Sequence, residues 1–516
     1  VGHSNNSNNQ NRNFDVRELY YETAAPVTST QFTANAPTAA FLNGTSTEIA
    51  TFWLYTLQNG SGYASWVQAG NTNLAVQPGY GFTMKGNGGS GQNYDFRGRP
   101  NTGAMSINIG AGGNETLTGN PYPSALDVKL FLIDAGNSAL DGNTYYWQQQ
   151  AVGTHYLEEY QGGYSTYAPG SPANLADNGT YTVATFIDYT AAGLPDLGSY
   201  GTSTVYSAIS TRYAPIGQGF MVRGVANGTA SFSNNMRVYQ PEGANSTFRF
   251  AASDDDDEDI HIPLSHNGID YENIILNPTS VPELKIHTQI NNQYFRENII
   301  AFRNASTPEY DKFMDGHHPS LLSADTYFAT NTDGHDKLVI NSIEFNEDER
   351  VPFALYVADD QQGANFKVSL NRIDNFADDL NVYVYDKEQN TYTDIQNGEF
   401  SINLPAGDHK DRFEIVFKQH AQDQIDDVIV DVIDTFDIFQ DNNNGVLTIK
   451  NPELIDINEV AVFDTAGKRV FSKTSLPTQE FYSFPSNNLS DGIYIVRLLT
   501  TDNVDISEKV SVYNRK

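Results

Sequence analysis

The residues that could do chemistry are few and scattered. Two histidines stand together in Asp315-Gly-His-His-Pro319, and His261 and His266 flank Pro263. Neighbouring positions of a strand point to opposite faces, so His317 and His318 do not converge on one metal; an exposed turn is the plainer reading. Paired carboxylates are the machinery of glycoside hydrolysis, but with 63 acidic residues such pairs arise by chance and discriminate nothing. The run Asp254, Asp255, Asp256, Asp257, Glu258 and Asp259 has a ligand chemistry of its own, since clustered carboxylates can collect Ca2+, a hard cation that prefers oxygen. Consecutive acids alternate faces in an extended segment, so the competing reading is a solvated loop between Phe248-Arg-Phe250 and Ile260-His-Ile262. The sequence contains no H-E-x-x-H, P-loop or G-x-S-x-G, and Gly79-Tyr-Gly81 lacks the third glycine of a dinucleotide loop.

Composition narrows the classes further. The 516 residues include 63 acids and 30 Lys plus Arg, a formal charge of −33. That sign argues against nucleic acid and against docking on anionic lipid. There is no cysteine, which removes disulfides, thiolate metal sites and a cysteine nucleophile together. No apolar run reaches the roughly 18–20 residues that span a bilayer, so no transmembrane segment is expected. Val1 opens a polar, Asn-rich stretch without the features of a signal peptide, and a mature or trimmed start is the expected explanation.

The elements that must position any site read as strands. Short runs rich in Val, Ile, Tyr, Phe and Thr recur between Gly, Asn and Asp turns, as in Phe366–Leu370, Asn381–Tyr385, Leu338–Ile340 and Phe413–Phe417. Ala125–Leu132 is a modest candidate for a short helix. The expected fold is all-β, with several β-sandwich domains of immunoglobulin-like or jelly-roll-like type in tandem. The first half carries an internal echo: G-x-G-F-x-x-[K/R]-G begins at Gly79 and again at Gly217. A ligand loop is one reading of these glycines; close backbone packing where a strand enters a sheet is the favoured one. The aromatic residues likewise read as core filling, with sugar stacking as the alternative. Composition shifts divide the chain into a polar arm (1–13) and a double β unit (14–243, halves near 14–110 and 111–243). A second β domain (244–420), an acidic linker (421–429) and a compact tail (430–516) follow.

The tail carries the clearest motifs. Val460-Ala-Val-Phe463 runs into Asp464-Thr-Ala-Gly-Lys-Arg469, followed by Leu489-Ser-Asp-Gly-Ile-Tyr-Ile-Val-Arg-Leu498 and Glu508-Lys-Val-Ser-Val512. In type, order and distance from the C-terminus these resemble the C-terminal sorting domain of the type 9 secretion system of Bacteroidota. The early P-N-P of that family is missing; Lys450-Asn-Pro452 comes one strand later. The resemblance implies an immunoglobulin-like fold, export across the outer membrane, and partners in the translocon and its shuttle proteins. It also implies recognition through Gly467, Lys468, Gly492, Tyr494, Val496, Lys509, Val510 and Val512. An exposed edge strand offers the mechanism, because its main chain can extend a partner's sheet. Leu117–Ala125, Pro215–Phe220, Phe232–Arg237, Thr307–Asp311 and Asp411–Phe413 resemble segments of large Bacteroidota surface proteins.

The reading is therefore a secreted or cell-surface structural or adhesive protein without catalytic activity and with no required cofactor, Ca2+ being the candidate ion. It associates with itself or with a surface partner. In a filament version, Phe14, Val16, Leu19 and Tyr21 form a strand that completes a neighbouring copy. A glycan-binding module and a secreted hydrolase are the alternatives.

Overall fold

The computed structural model describes residues 53–68, 77–84, 100–150, 161–190, 195–196, 211–239, 262, 264–304, 306–330, 337–376, 380–419, 436–441, 444–501 and 505–514. The chain divides into two compact units, Val1–Lys418 and Gln419–Lys516. Strands dominate both, as the alternation and turn spacing require.

Unit one begins with a five-stranded sheet. Its strands are β1 (Asn114–Gly119), β2 (Thr144–Gln149), β3 (Gly162–Ala168), β4 (Thr180–Tyr181) and β5 (Gly219–Gly224), in the order β1-β5-β2-β3-β4. Both copies of the internal echo lie against β1. Gly81 N donates to Leu117 O at 2.8 Å on one side, and β5 pairs along the other with Gly219 opposite Gly119. Each copy enters through the same turn, with Gly79 at φ +95° and Gly217 at φ +77°. A Cβ on Gly81 would stand 2.7 Å from Thr118 O, and one on Gly224 would run into Gly110 O. At Gly81 and Gly224, then, the glycines serve close backbone approach.

One face of this sheet packs on helix α1 (Val128–Ile133). Asp127 caps it, accepting from Lys129 N at 3.0 Å. The cap explains why the expected helix over 125–132 starts late: Ala125–Asp127 is strand, and Asp127 ends it by taking the free amides of the next turn. Phe131 stacks on Phe232 at 4.5 Å within a core that includes Leu126, Tyr146, Tyr167 and Val222.

Helix α2 (Tyr271–Leu276) leads to the second sheet system: β6 (Glu283–Ile290), β7 (Tyr294–Phe302), β8 (Gly316–His317), β9 (Ala324–Phe328), β10 (Leu338–Ile343) and β11 (Arg350–Val357). β12 (Ala364–Asp374), β13 (Tyr383–Asp386), β14 (Thr391–Asp394), β15 (Phe400–Leu404), β16 (Gly407–Asp408) and β17 (Phe413–Val416) complete it. The order is β14-β13-β17-β11-β9-β10-β7-β6-β12-β15, with β8 on β10 and β16 on β11. Pairing is antiparallel except between β7 and β10. In β6 every second residue is buried, the signature of a strand with one face in a core. Phe400 on the last strand meets Phe413, near the opposite end of the order, at 5.6 Å. The sheet therefore folds over itself around one core.

The composition shift near residue 243 separates these sheet systems within the single unit. Ala168 of β3 packs with Ile299, Val339 and Ile340 of β7 and β10. Ile187 joins the core of the second sheet.

Unit two is a sandwich of seven strands among the described residues. β18 (Asp437–Asp441), β19 (Val446–Lys450) and β22 (Phe481–Pro485) form one sheet in the order β18-β19-β22. β20 (Ile457–Asp464), β21 (Arg469–Thr474), β23 (Gly492–Thr500) and β24 (Asp505–Val512) form the other in the order β21-β20-β23-β24. Ile449, Val460, Val462, Tyr482, Val496 and Leu498 fill the space between.

Candidate functional site

The first candidate lies at one end of the four-stranded sheet of unit two. Asp464 closes β20: its Oδ1 accepts from Ala466 N at 3.0 Å and Lys468 N at 2.9 Å, while Gly467 takes φ +76°. Only a residue free of Cβ strain suits that turn. Register then brings distant motifs together. Asp464 stands opposite Tyr494, Tyr494 opposite Val510, and Gly492 opposite Val512. The Gly467–Lys468 hairpin, the start of β23 and the end of β24 thus share one end of the sheet.

The eight expected recognition residues divide by burial. Tyr494, Val496, Val510 and Val512 lie in the core, and the Tyr494 hydroxyl donates to Ser490 O at 3.1 Å. Gly467, Lys468, Gly492 and Lys509 face solvent. The two expected recognition strands differ as well. β23 is central, with β20 and β24 occupying both sides of its backbone, whereas β24 is an edge. Main-chain addition of a partner strand therefore fits β24 and not Gly492–Val496.

Residues that sequence reasoning did not single out fasten this end. Asn514 N donates to Asp491 Oδ1 at 2.9 Å, and its side-chain amide donates to Ser486 O at 3.0 Å and Leu489 O at 2.8 Å. Gln440 Nε2 donates to Asn514 Oδ1 at 3.0 Å and to Ser486 Oγ at 2.9 Å. This amide pair ties the end of β24 to the opposite sheet. Asn451, fully buried in the Lys450-Asn-Pro452 segment, donates to Ile455 O at 2.8 Å and orders the turn into β20. A lone Asn or Gln in a polar sequence gives no signal for such a role.

The second candidate is the polar seam between the sheet systems of unit one. Asp127 and Arg212, both fully buried, pair at 2.9 Å, and the Tyr271 hydroxyl donates to the same carboxylate at 2.8 Å. Asp177 pairs with Arg303 at 2.9 Å. Burial disfavours the Asp177 charge, but Arg303 and Lys129 outweigh it and hold the carboxyl at about 2. Lys129 is itself buried and donates to the carbonyls of Pro169, Ser171 and Asp177 at 2.7–2.8 Å. Burial pushes its ammonium down to about 7, against the pull of Asp177.

The two histidines belong to this seam. His317 lies in β8, its ring tilted on Tyr310 at 4.9 Å. His318 turns the other way, Nε2 3.3 Å from Asp325, which also takes a two-pronged contact from Arg296 at 2.7 Å. The rings diverge as strand geometry requires, but the segment is not an exposed turn: His318 is buried, because Arg223 donates to its carbonyl and Asp325 draws in its ring.

Two further buried carboxyls have raised pKa values. Asp141 is pushed up to about 6 by burial, against the bond from Tyr145 Oη at 2.6 Å. Asp315 is pushed up to about 8 by burial, although Asp311 N and Ser342 N each donate to it at 2.6 Å. Among the described residues, no group of three or more His, Asp or Glu side chains is placed to hold a metal ion, and no helix is long and apolar enough to cross a membrane. The candidate Ca2+ residues Asp254–Glu258 and the candidate assembly strand Phe14, Val16, Leu19 and Tyr21 lie outside the described residues, as do His261 and the linker 421–429.

Comparison with known proteins adds the following. A family described as a domain of unknown function, DUF8693, matches residues 4–417. The family described as the secretion system C-terminal sorting domain matches residues 442–513. The tail motifs and this match identify a type 9 secretion cargo of Bacteroidota type, exported to the cell surface or the medium. No curated protein matches the chain. Among solved structures, a polysaccharide lyase is similar at 9% identity and a TM-score of 0.13, over 46% of this chain and 40% of its own. The chain thus spans less than half of that protein, and so low a score carries no argument.

Proposed function

We propose that this chain, which belongs through residues 4–417 to the family described as DUF8693 and ends in a type 9 sorting domain, is a structural or adhesive cell-surface protein. The observation that carries the reading is the use made of its chemically potent groups. Arg212, Arg303, Lys129, Asp127 and Asp177 are buried and bonded to one another or to backbone carbonyls, and the Arg303–Asp177 pair joins the two sheet systems. Such groups cost desolvation energy and return it through rigidity and a fixed alignment of two sheet systems. A stiff β body exported to the surface acts through its faces.

The aromatic residues support the same reading over a glycan platform. Trp147, Tyr164 and Tyr189 gather at 5.2–5.5 Å, but at interplanar angles of 69° and 50°, half-buried. Rings packed edge to face fill space; a sugar stacks on an open flat ring. The hydrolase reading draws support from the raised carboxyls Asp141 and Asp315, which share the environment of a general acid. Each is spent on internal hydrogen bonds, so it acts as a strut.

Attachment of cells displaying the chain, with and without residues 4–417, tests the proposal: loss of attachment on deletion supports it. Turnover of a polysaccharide by the purified chain, abolished in Asp141→Asn, would replace it with the hydrolase. For the filament version, negative-stain imaging with and without Ca2+ is decisive, since uniform single particles in both conditions remove it.

A further inference from the structure

The outward face of the four-stranded sheet in unit two has an order that export alone does not require of a soluble tail. β20 and β23 alternate, so that Val460, Val462, Tyr494, Val496 and Leu498 fill the core while Phe463, Ile493 and Ile495 look the other way. Register sets one row across the sheet: Phe463 opposite Ile495 and Ile495 opposite Lys509, with Arg469 brought opposite Phe463 by a shift of register between β20 and β21. An aromatic and an aliphatic side chain thus lie between two cations. Ile493, 53% exposed, extends the apolar strip toward the Gly467 hairpin, where Lys468 adds a third cation. Two acids share this face: Glu459 partly offsets Arg469, and Asp505 sits toward the other end. Glu459 lies 3.6 Å from Arg469, and Asp505 pairs with Arg497. An apolar centre with a cationic rim is thus displayed by a chain whose formal charge is −33.

We propose that this face, the row Arg469–Phe463–Ile495–Lys509 together with Ile493, is the surface by which the export machinery holds the tail. The occupant is a protein surface with an apolar centre flanked by carboxylates. The inference rests on the sorting-domain reading and specifies which part of that domain is grasped. Charge complementarity selects the occupant: cations at both ends of an apolar pair match acids on a partner, and burial of the pair supplies the affinity. A second copy fits poorly, because a twofold meeting of this row sets Arg469 and Lys509 of one copy against the cations of the other while two strongly negative chains approach. An anionic membrane fits poorly as well, since three cations do not offset the long-range repulsion of so acidic a chain. Side-chain recognition also accommodates β23, which presents Ile493 and Ile495 outward although its backbone is fully paired.

The test compares export of full-length variants in a bacterium with a type 9 system, by surface labelling of intact cells, alongside a chain ending at Lys418. The double variant Arg469→Glu/Lys509→Glu is expected to reach the surface about tenfold less or worse, as is Ile493→Ser/Ile495→Ser. The conservative pair Arg469→Lys/Lys509→Arg retains export, and so does Lys450→Glu on the other sheet. Thermal unfolding of each purified full-length variant shows whether the tail still folds; a folded charge-reversal variant that fails to export supports the assignment. Undiminished export of that variant, with the truncated chain retained inside, overturns this inference and leaves the sorting reading intact. Export of the truncated chain overturns the reading beneath it. Binding of the wild-type chain to phosphatidylglycerol vesicles, lost on charge reversal, overturns the choice of a protein partner.

Discussion

Arg303, the residue after β7, reaches across the seam of unit one to Asp177, Nε to Oδ2 at 2.9 Å, with both side chains shielded from water. The guanidinium also donates to Ser342 Oγ and Thr180 Oγ1, each at 2.9 Å, so its donors are well used. Removing one partner leaves the other charged in a place that water does not reach. Arg303→Met is therefore expected to lower unfolding free energy by about 3–5 kcal/mol in chemical denaturation. A loss below about 1 kcal/mol would mean that the seam is solvated and that its ion pairs are ornamental.

The raised carboxyl of Asp315 makes stability depend on pH. Burial lifts its folded-state pKa to about 8 from the ordinary carboxyl value of 3.8, so between these values the native state holds a proton that the unfolded chain has released. Stability from this group is complete below pH 3.8 and declines as pH rises toward 8. Asp315→Asn is expected to flatten that part of the profile, as read from melting temperatures across pH 4–8. Identical slopes in variant and wild type would contradict the assignment. Asp177 works in the opposite sense: its pKa falls to about 2 in the fold, so its contribution is present above pH 3.8 and is lost on acidification toward pH 2.

The repeated glycines can be tested as packing residues. Gly81→Ala pushes a Cβ to 2.7 Å from a backbone oxygen that cannot retreat without breaking the β1 edge, so a loss of about 1–3 kcal/mol is expected. Gly492 of the tail has nothing within 4 Å of the same atom, and Gly492→Ala is expected within about 0.5 kcal/mol of wild type. If both substitutions proved equally harmless, the echo in unit one would need another explanation.

Much of this architecture was legible because it is local. The alternation of Phe366–Leu370 in β12, the hairpin at Gly467 and the strand β23 follow from residue type and spacing alone. The seam was not legible, because its partners are far apart in the chain: Asp127 with Arg212 and Tyr271, Asn143 with the Asp315 carbonyl at 2.8 Å, Val183 N with Glu297 at 3.0 Å. Periodicity carries no information on which buried acid meets which base. The same holds for His317, whose strand placement follows from neighbours on β10 that no local pattern names. Composition does change near residue 243, yet Ala168 and Ile299 meet in one cluster because sheets pack by shape and not by sequence order.

Asn514 supplies a further prediction for the tail. Its side chain bridges Ser486 and Leu489, in the segment after β22, to Gln440 of β18. Asn514→Ala leaves two backbone carbonyls and the Gln440 amide short of a partner, at an expected cost of about 1–3 kcal/mol to the unfolding of unit two. Hydrogen exchange of the β24 amides reports it directly: faster exchange is expected at Val510 and Val512 and unchanged exchange in β19. Unaltered protection of β24 would show that the chain end is held by core packing alone.

The role we propose for residues 4–417 at the cell surface is adhesive or structural. The most direct measurement is the fraction of cells retained on a surface under shear, comparing cells that display the full chain with cells that display only the sorting tail at equal surface density. A several-fold drop in retention for the tail-only cells, with no change for the full-length Asp141→Asn variant, is the predicted result. Equal retention by full-chain and tail-only cells would contradict the account.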